Sequence, residues 1–83
     1  MYRLRIQDKA VKSFKKVSEP YKTLIKRKIE LLKNFSNDLP NIKALQGEYK
    51  GLYRLRSGDY RVLFAVKEEE IIIIDVFSRG QGY

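Results

Sequence analysis

The sequence predicts an α+β domain in which an N-terminal strand and a two-helix hairpin pack on an antiparallel sheet with three C-terminal strands. A short segment of alternating residues opens the chain, two stripes of apolar residues at helical spacing follow, and three strand-like segments end it. The predicted order is therefore β-α-α-β-β-β. At 83 residues the chain can bury one modest hydrophobic core, which predicts a single domain over residues 1–83.

The N-terminal half contains the first strand and both helices. Apolar and basic residues alternate from Tyr2 to Ile6, which is typical of a half-buried edge strand. Asp8 is placed to cap the first helix, and Ser18 is placed to cap the second, with Pro20 in its first turn. The helices are predicted from apolar stripes formed by Ala10, Val11, Phe14 and Val17, and then by Tyr21, Leu24, Ile25, Ile29, Leu32 and Phe35.

The C-terminal half begins with a loop. Residues 37–51 break the helical period and are predicted to connect the helices to the sheet, tethered by Ile42 and Leu45. Ser57–Gly58 is predicted as a two-residue hairpin turn, and the glutamates at 68–70 as a second turn. A continuous apolar run in the last strand predicts burial on both of its faces. The three predicted strands are 52–56, 59–66 and 71–77.

Composition restricts the possible functions. Eighteen Lys and Arg residues against ten Asp and Glu residues give a net charge of +8, which points to anionic partners, with ordinary surface lysines as the alternative. The absence of Cys and His removes disulfides, the usual zinc sites, thiol nucleophiles and the usual proton shuttle, so no metal or cofactor is expected. Because the longest apolar run, Ile71–Ile74, is too short for a bilayer and no signal peptide is visible, we expect a cytoplasmic protein.

Arginines are concentrated on one face of the predicted hairpin. Side-chain alternation places Arg54, Arg56 and Arg61 together, on what we call the arginine face, and directs the apolar residues to the helices. With the turn at Ser57–Gly58, Arg54 would lie opposite Arg61, and Arg56 opposite Asp59. Like charges facing each other destabilise a sheet, and an anion bound between them would offset that cost. The alternative is an ordinary solvated face.

The choice of basic residue changes along the chain. Positions 9–33 hold eight lysines and one arginine, whereas positions 51–83 hold one lysine and four arginines. The planar guanidinium can grip phosphate oxygens in pairs, which lysine cannot do, so the predicted sheet is suited to phosphate. Arg79 and Tyr83 follow the last strand and are expected beside the arginine face. Tyr83 would stack on a base or assist proton transfer, or else be frayed.

Leu45-Gln46-Gly47 and the hairpin Leu52-Tyr53-Arg54-Leu55-Arg56-Ser57-Gly58-Asp59-Tyr60-Arg61-Val62 resemble the RelE/ParE toxin superfamily, and the likeness covers nearly the whole chain. The resemblance implies a type II toxin that is inhibited by a cognate antitoxin, for which the charge suggests an acidic, partly helical protein. The RelE branch acts on the ribosome and cleaves mRNA in the A site. The ParE branch poisons DNA gyrase instead.

The resemblance also implies roles for individual residues in a ribosome-dependent endoribonuclease. Arg61 would stabilise the charge that develops on the phosphorane, Arg54 and Arg79 would grip flanking phosphates, and Arg56 would support substrate binding. Tyr83 matches the C-terminal tyrosine of the RelE site. In such enzymes the 2′-hydroxyl attacks the adjacent phosphate and leaves a cyclic phosphate and a 5′-hydroxyl.

Two positions depart from the RelE pattern. Leu52 stands where RelE has a further lysine, and Ser78 stands where many relatives have a histidine, so the general base is not identified. Lys50, which we also expect to contact substrate, and Glu48 could replace it, or both could be solvated loop residues. Three functions remain open: a ribosome-dependent endoribonuclease, a gyrase inhibitor without nuclease activity, and a non-catalytic nucleic-acid-binding module.

Overall fold

The computed structural model of the chain describes residues 1–81, which form a five-stranded sheet with two α-helices packed on one face. The strand order is β1-β5-β4-β3-β2, so β1 is an edge strand, as predicted. The three long C-terminal strands pair antiparallel, but β1 runs parallel to β5, which makes the sheet mixed rather than antiparallel throughout. The strands are β1 (Arg3–Ile6), β2 (Ile42–Ala44), β3 (Leu52–Ser57), β4 (Tyr60–Lys67) and β5 (Glu70–Ser78).

The helices are α1 (Asp8–Lys15) and α2 (Tyr21–Leu31), and 3-10 turns follow at Leu32–Asn34 and Gly47–Tyr49. The predicted caps are wrong in detail. Asp8 is the first residue of α1 rather than its cap, where it still opposes the positive end of the helix dipole. At α2 the carboxylate of Glu19, not Ser18, accepts hydrogen bonds from the backbone and hydroxyl of Thr23, at 3.0 and 2.7 Å. No helix within residues 1–81 is both long and apolar enough to cross a membrane.

The predicted loop contains β2, a three-residue strand on the edge of the sheet. Ile42 pairs with Leu55 and packs against the core, and Leu45 is buried, so both tethering residues are placed as expected. A segment of three strand residues is too short to show an alternating pattern, which explains why the sequence did not reveal it.

The core lies between the helices and one face of the sheet. Phe64 at its centre is fully buried, stacks on Tyr53 with ring centroids 5.5 Å apart, and meets the edge of Phe35 at 5.9 Å. The last strand is buried on both faces, as predicted, since Ile72 is buried although it lies outside the core cluster that contains Ile71 and Ile73. The other fully buried large side chains are Ile25, Leu32, Ile71, Ile73 and Val62.

Asp75 on β5 attaches the first helix to the sheet. Its carboxylate accepts a hydrogen bond from the Ser13 hydroxyl at 2.9 Å and lies 3.4 Å from the Lys9 ammonium. The same carboxylate accepts the backbone N–H of Val76 at 2.9 Å. Because its side chain is only 18% exposed, these contacts satisfy a largely desolvated charge, and they attach α1 to β5.

Candidate functional site

The hairpin between β3 and β4 turns one residue later than predicted. Ser57 and Tyr60 are paired, so the two-residue turn is Gly58–Asp59 and not Ser57–Gly58. Gly58 has φ of 59°, a left-handed conformation that glycine adopts without a steric penalty, and glycine first in a two-residue loop is typical of a type II′ turn. The predicted register of the hairpin is therefore wrong.

The corrected register changes which charges face each other. Arg56 is paired with Arg61, whereas Arg54 is paired with Leu63, so neither Arg54–Arg61 nor Arg56–Asp59 is a cross-strand pair. The side chains of Arg56 and Arg61 still project on the same side of the sheet, away from the helices. The structure thus confirms that arginines face each other across the ladder, but with a different partner for Arg61.

The arginine face itself is where the sequence placed it. On β3 and β4, Leu55 and Val62 are paired and belong to the core, so the alternating positions Arg54, Arg56 and Arg61 lie on the opposite face. Arg56 is exposed, while Arg54 and Arg61 are half-buried.

Arg61 lies at the centre of this charge cluster. Its guanidinium Nη1 donates to the carbonyl oxygens of Gly58 and Tyr60, at 3.0 and 3.1 Å, which holds the side chain against the turn. Burial lowers the pKa of the Arg61 guanidinium, and the positive charges of Arg56, Arg54 and Arg79 lower it further, with only partial opposition from Asp59. Four arginines therefore act on one another at this end of the sheet.

A backbone hydrogen bond holds Arg79 near the cluster. Its N–H donates to the carbonyl of Asp59 at 2.5 Å, which ties the segment after β5 to the β3–β4 turn. The expectation that the last strand delivers Arg79 to the arginine face therefore agrees with the structure. Tyr83, to which the sequence assigned stacking or proton transfer, lies outside the described residues.

No carboxylate within residues 1–81 forms an ion pair with the arginines of the arginine face. Within residues 1–81, the three ion pairs are Arg5–Glu70, Lys9–Asp75 and Lys33–Glu30, none of which involves the cluster. The Nε atom of Arg54 is buried and has no hydrogen-bond partner among the described residues. Guanidinium groups left without carboxylates on a rigid sheet are suited to bind the oxygen atoms of phosphate.

The two loop residues proposed as contacts or bases lie apart from this cluster. Glu48 is in the 3-10 turn before β3, and Lys50 directly follows that turn; both are exposed, and their side chains make no hydrogen bond or ion pair within the described part of the chain. Lys50 precedes Arg54 by four residues, at the end of β3 away from the hairpin turn. The structure does not bring Lys50 and Glu48 to the facing arginines.

Of two further residues near the arginines, Asp59 was predicted in the wrong place and Lys43 was not predicted at all. Asp59 occupies the turn, where its negative charge acts on Arg61. Lys43 on β2 is paired with Arg54, which extends the cationic surface to the edge of the sheet. Three residues inside a loop do not distinguish a strand from an irregular segment, so no pattern in the sequence placed Lys43 on the sheet.

Both the sequence and the fold are similar to those of known toxins. Residues 4–83 match the family model described as the ParE toxin of type II toxin-antitoxin system, parDE. No curated protein matches the sequence. Among solved structures, the chain is similar to the RelB-RelE antitoxin-toxin complex from Methanococcus jannaschii, with 32% identity, a TM-score of 0.78, and coverage of 93% of this chain and 92% of that chain.

Two further structures share the fold. The archaeal RelE-RelB complex from Pyrococcus horikoshii OT3 is 27% identical with a TM-score of 0.76, and 98% of each chain is covered. YafQ from E. coli strain BL21(DE3) is 16% identical with a TM-score of 0.80, covering 98% of this chain and 97% of that chain. At 16% identity, the likeness to YafQ concerns the fold alone.

Proposed function

Because this chain belongs to the ParE family of type II toxins, within the RelE/ParE superfamily, we propose that its arginine face is the active site of an endoribonuclease. The substrate would be mRNA in the ribosomal A site, so that cleavage inhibits translation. The structures from Methanococcus jannaschii and Pyrococcus horikoshii, which are 32% and 27% identical to this chain, contain RelE, which favours the RelE type of activity.

The observation that carries this proposal is the pairing of Arg56 with Arg61. Two guanidiniums face each other across the ladder, Arg54 and Arg79 add to the same positive field, and no carboxylate forms an ion pair with any of the four within residues 1–81. The repulsion between these charges destabilises the free protein, and an anion that binds between them offsets this cost. Because the side chains come from paired strands and a tied turn, the site is organised before substrate arrives.

The chemistry proposed for this site is transfer within the RNA backbone. The 2′-oxygen forms a bond to the adjacent phosphorus, the bond from phosphorus to the 5′-oxygen breaks, and the products are a 2′,3′-cyclic phosphate and a 5′-hydroxyl. The proton leaves the 2′-hydroxyl for a base, and another proton is delivered to the 5′-oxygen. Arg61 would stabilise the phosphorane, with Arg54 and Arg79 on flanking phosphates, Arg56 in support, and Tyr83 stacking on a base or moving a proton.

An antitoxin partner is part of the proposal. The relatives from Methanococcus jannaschii and Pyrococcus horikoshii were solved as complexes of RelE with RelB. With a net charge of +8, this chain is suited to an acidic, partly helical protein, because neutralising part of that charge favours association. We also propose a cytoplasmic location, because the proposed targets are ribosomes and mRNA.

The test is primer extension on an mRNA translated in a purified system. Wild-type protein should produce new 5′ ends only when ribosomes are present, and Arg61→Ala should slow cleavage by about a hundredfold or more. Arg61→Lys, which keeps the charge but not the fork, should recover only part of the rate. Arg27→Ala, an exposed arginine on α2, is the matched control and should cleave normally. An Arg61→Ala protein that cuts at the wild-type rate would refute the assignment.

A gyrase inhibitor is the second candidate, because the matching family model is that of ParE toxins. That function requires no aligned phosphate site and no tyrosine after the last strand. Supercoiling inhibition by the wild-type protein that persists after removal of Tyr83, without mRNA cleavage, would favour it. RNA binding that is sensitive to salt but causes neither cleavage nor growth arrest would indicate a non-catalytic binding module instead.

A further inference from the structure

The short strand β2 adds a lysine to the arginine face. Ile42 is paired with Leu55 and packs against the core, so alternation directs Lys43 to the opposite side of the sheet, where its paired residue is Arg54. Lys43 is exposed, in contrast to the half-buried Arg54. A second pair of positive charges therefore faces across a ladder, one strand away from Arg56 and Arg61.

Neither member of this second pair has a partner of opposite charge. Within residues 1–81, Lys43 and Arg54 form no ion pair, and the buried Nε of Arg54 donates no hydrogen bond. Lysine and arginine side chains that face each other without a carboxylate repel, as the Arg56–Arg61 pair does. An anion that accepts hydrogen bonds from the outer N–H groups of Arg54 and from Lys43 would offset that repulsion.

The two cation pairs are arranged in successive rows. Arg54 and Arg56 are two residues apart on β3 and point to the same face, which separates them by about 6.6 Å at the rise of a strand. That separation is comparable with the spacing of successive phosphates in a single-stranded RNA backbone. The Lys43–Arg54 row lies toward the edge of the sheet, and the Arg56–Arg61 row lies at the hairpin turn.

We propose that Lys43 and Arg54 form a second phosphate-binding subsite, which holds the phosphate next to the one bound at Arg56 and Arg61. The inference rests on the proposed function, since it takes RNA as the ligand, and it assigns to Lys43 a binding role outside the reacting atoms. RNA would then cross the arginine face from the β3–β4 turn toward the β2 edge. Each row would contact one phosphate, independently of the base sequence.

The test measures binding of a fluorescent hexanucleotide whose 2′-hydroxyls are all methylated, so that the proposed cleavage cannot occur. Anisotropy titrations at several salt concentrations give the slope of log affinity against log salt. Lys43→Gln should reduce the magnitude of that slope by about 0.7, the value for one phosphate contact to a single strand, and weaken binding about fivefold at 0.1 M salt. Lys67→Gln is the matched control, because Lys67 is an exposed lysine of β4 paired with Glu70.

The outcomes separate this subsite from the nuclease proposal. Equal affinities and slopes for Lys43→Gln and Lys67→Gln would overturn the subsite even if the wild type cleaves mRNA. A reduced slope for Lys43→Gln alone would support the subsite even if no cleavage occurs under any condition. Wild-type protein that fails to bind the hexanucleotide would also overturn it. Equal melting temperatures for both variants would show that the difference arises in binding rather than folding.

Discussion

The facing arginines should make the free protein less stable than it would be without them. Arg56 and Arg61 are directly paired, and like charges opposite each other on adjacent strands cost about 0.2 to 1 kcal/mol. Replacing Arg56 by glutamine removes the repulsion and keeps a polar side chain on the exposed face. The Lys28 contact with the Arg56 carbonyl, at 3.3 Å, involves the backbone and survives the substitution. We therefore expect Arg56→Gln to raise the free energy of unfolding by about 0.2 to 1 kcal/mol.

Thermal unfolding at low ionic strength measures this gain. In a domain of this size each kcal/mol shifts the melting temperature by about 4 to 8 °C, so the expected increase is about 1 to 8 °C. The increase should shrink as salt is raised from about 0.01 to 1 M, because the Debye length falls from about 30 to 3 Å. The same variant should bind RNA more weakly, since it lacks one of the facing charges.

Arg27→Gln is the control for this measurement, because Arg27 is exposed on α2 and its side chain forms no ion pair or hydrogen bond within residues 1–81. It has the same change in net charge without a facing arginine. If Arg56→Gln is no more stable than Arg27→Gln at low salt, the pair is not a source of repulsion. The physical argument for an anion between Arg56 and Arg61 would then fail.

Two further predictions concern the core and the turn. Phe64→Ala should lower the free energy of unfolding by about 3 to 5 kcal/mol, measured by urea denaturation, because Phe64 is fully buried among aromatic rings; a loss below about 1 kcal/mol would contradict this placement. Asp59→Asn should tighten binding of the methylated hexanucleotide by about 0.2 to 1 kcal/mol, roughly one and a half to fivefold, because it removes the acid that opposes the positive field at Arg61. Asp38→Asn, at an exposed loop position, should leave the affinity unchanged, and equal effects of the two variants would show that only net charge matters.

The faces of the hairpin were predictable from the sequence, but the pairing across it was not. Moving the turn from Ser57–Gly58 to Gly58–Asp59 shifts the register by two residues, and a shift of two leaves every side chain on its original face. Arg54, Arg56 and Arg61 therefore remain together under either turn. Both dipeptides contain a glycine suited to a two-residue loop, so local sequence could not decide between them.

Other differences arose where local patterns carry little information. The parallel pairing of β1 with β5 joins residues that are far apart in sequence, and alternation from Tyr2 to Ile6 indicates a strand without indicating its partner. Glu19 caps α2 because its carboxylate lies within hydrogen-bonding distance of the Thr23 N–H. The sequence pointed to Ser18 because of its residue type, which does not reveal that distance. The apolar stripes of the helices and of β5 were reliable, because each is reinforced by several residues at a fixed spacing.

The position of Asp59 decides whether the hairpin presents one row of cations or two. In the predicted register, Asp59 would lie across from Arg56 and could neutralise it, which would leave Arg54 and Arg61 as the facing pair. In the structure, Asp59 occupies the turn, so Arg56 faces Arg61. Arg54 is paired with Lys43 on β2, and this pairing belongs to the β2–β3 ladder and does not depend on the turn. A turn placed one residue later thus replaces the ion pair of Arg56 with Asp59 by a second row of cations, and within residues 1–81 neither row contains an ion pair. The capacity of this sheet for successive phosphates therefore follows from the turn, and any change that returns the turn to Ser57–Gly58 should remove it.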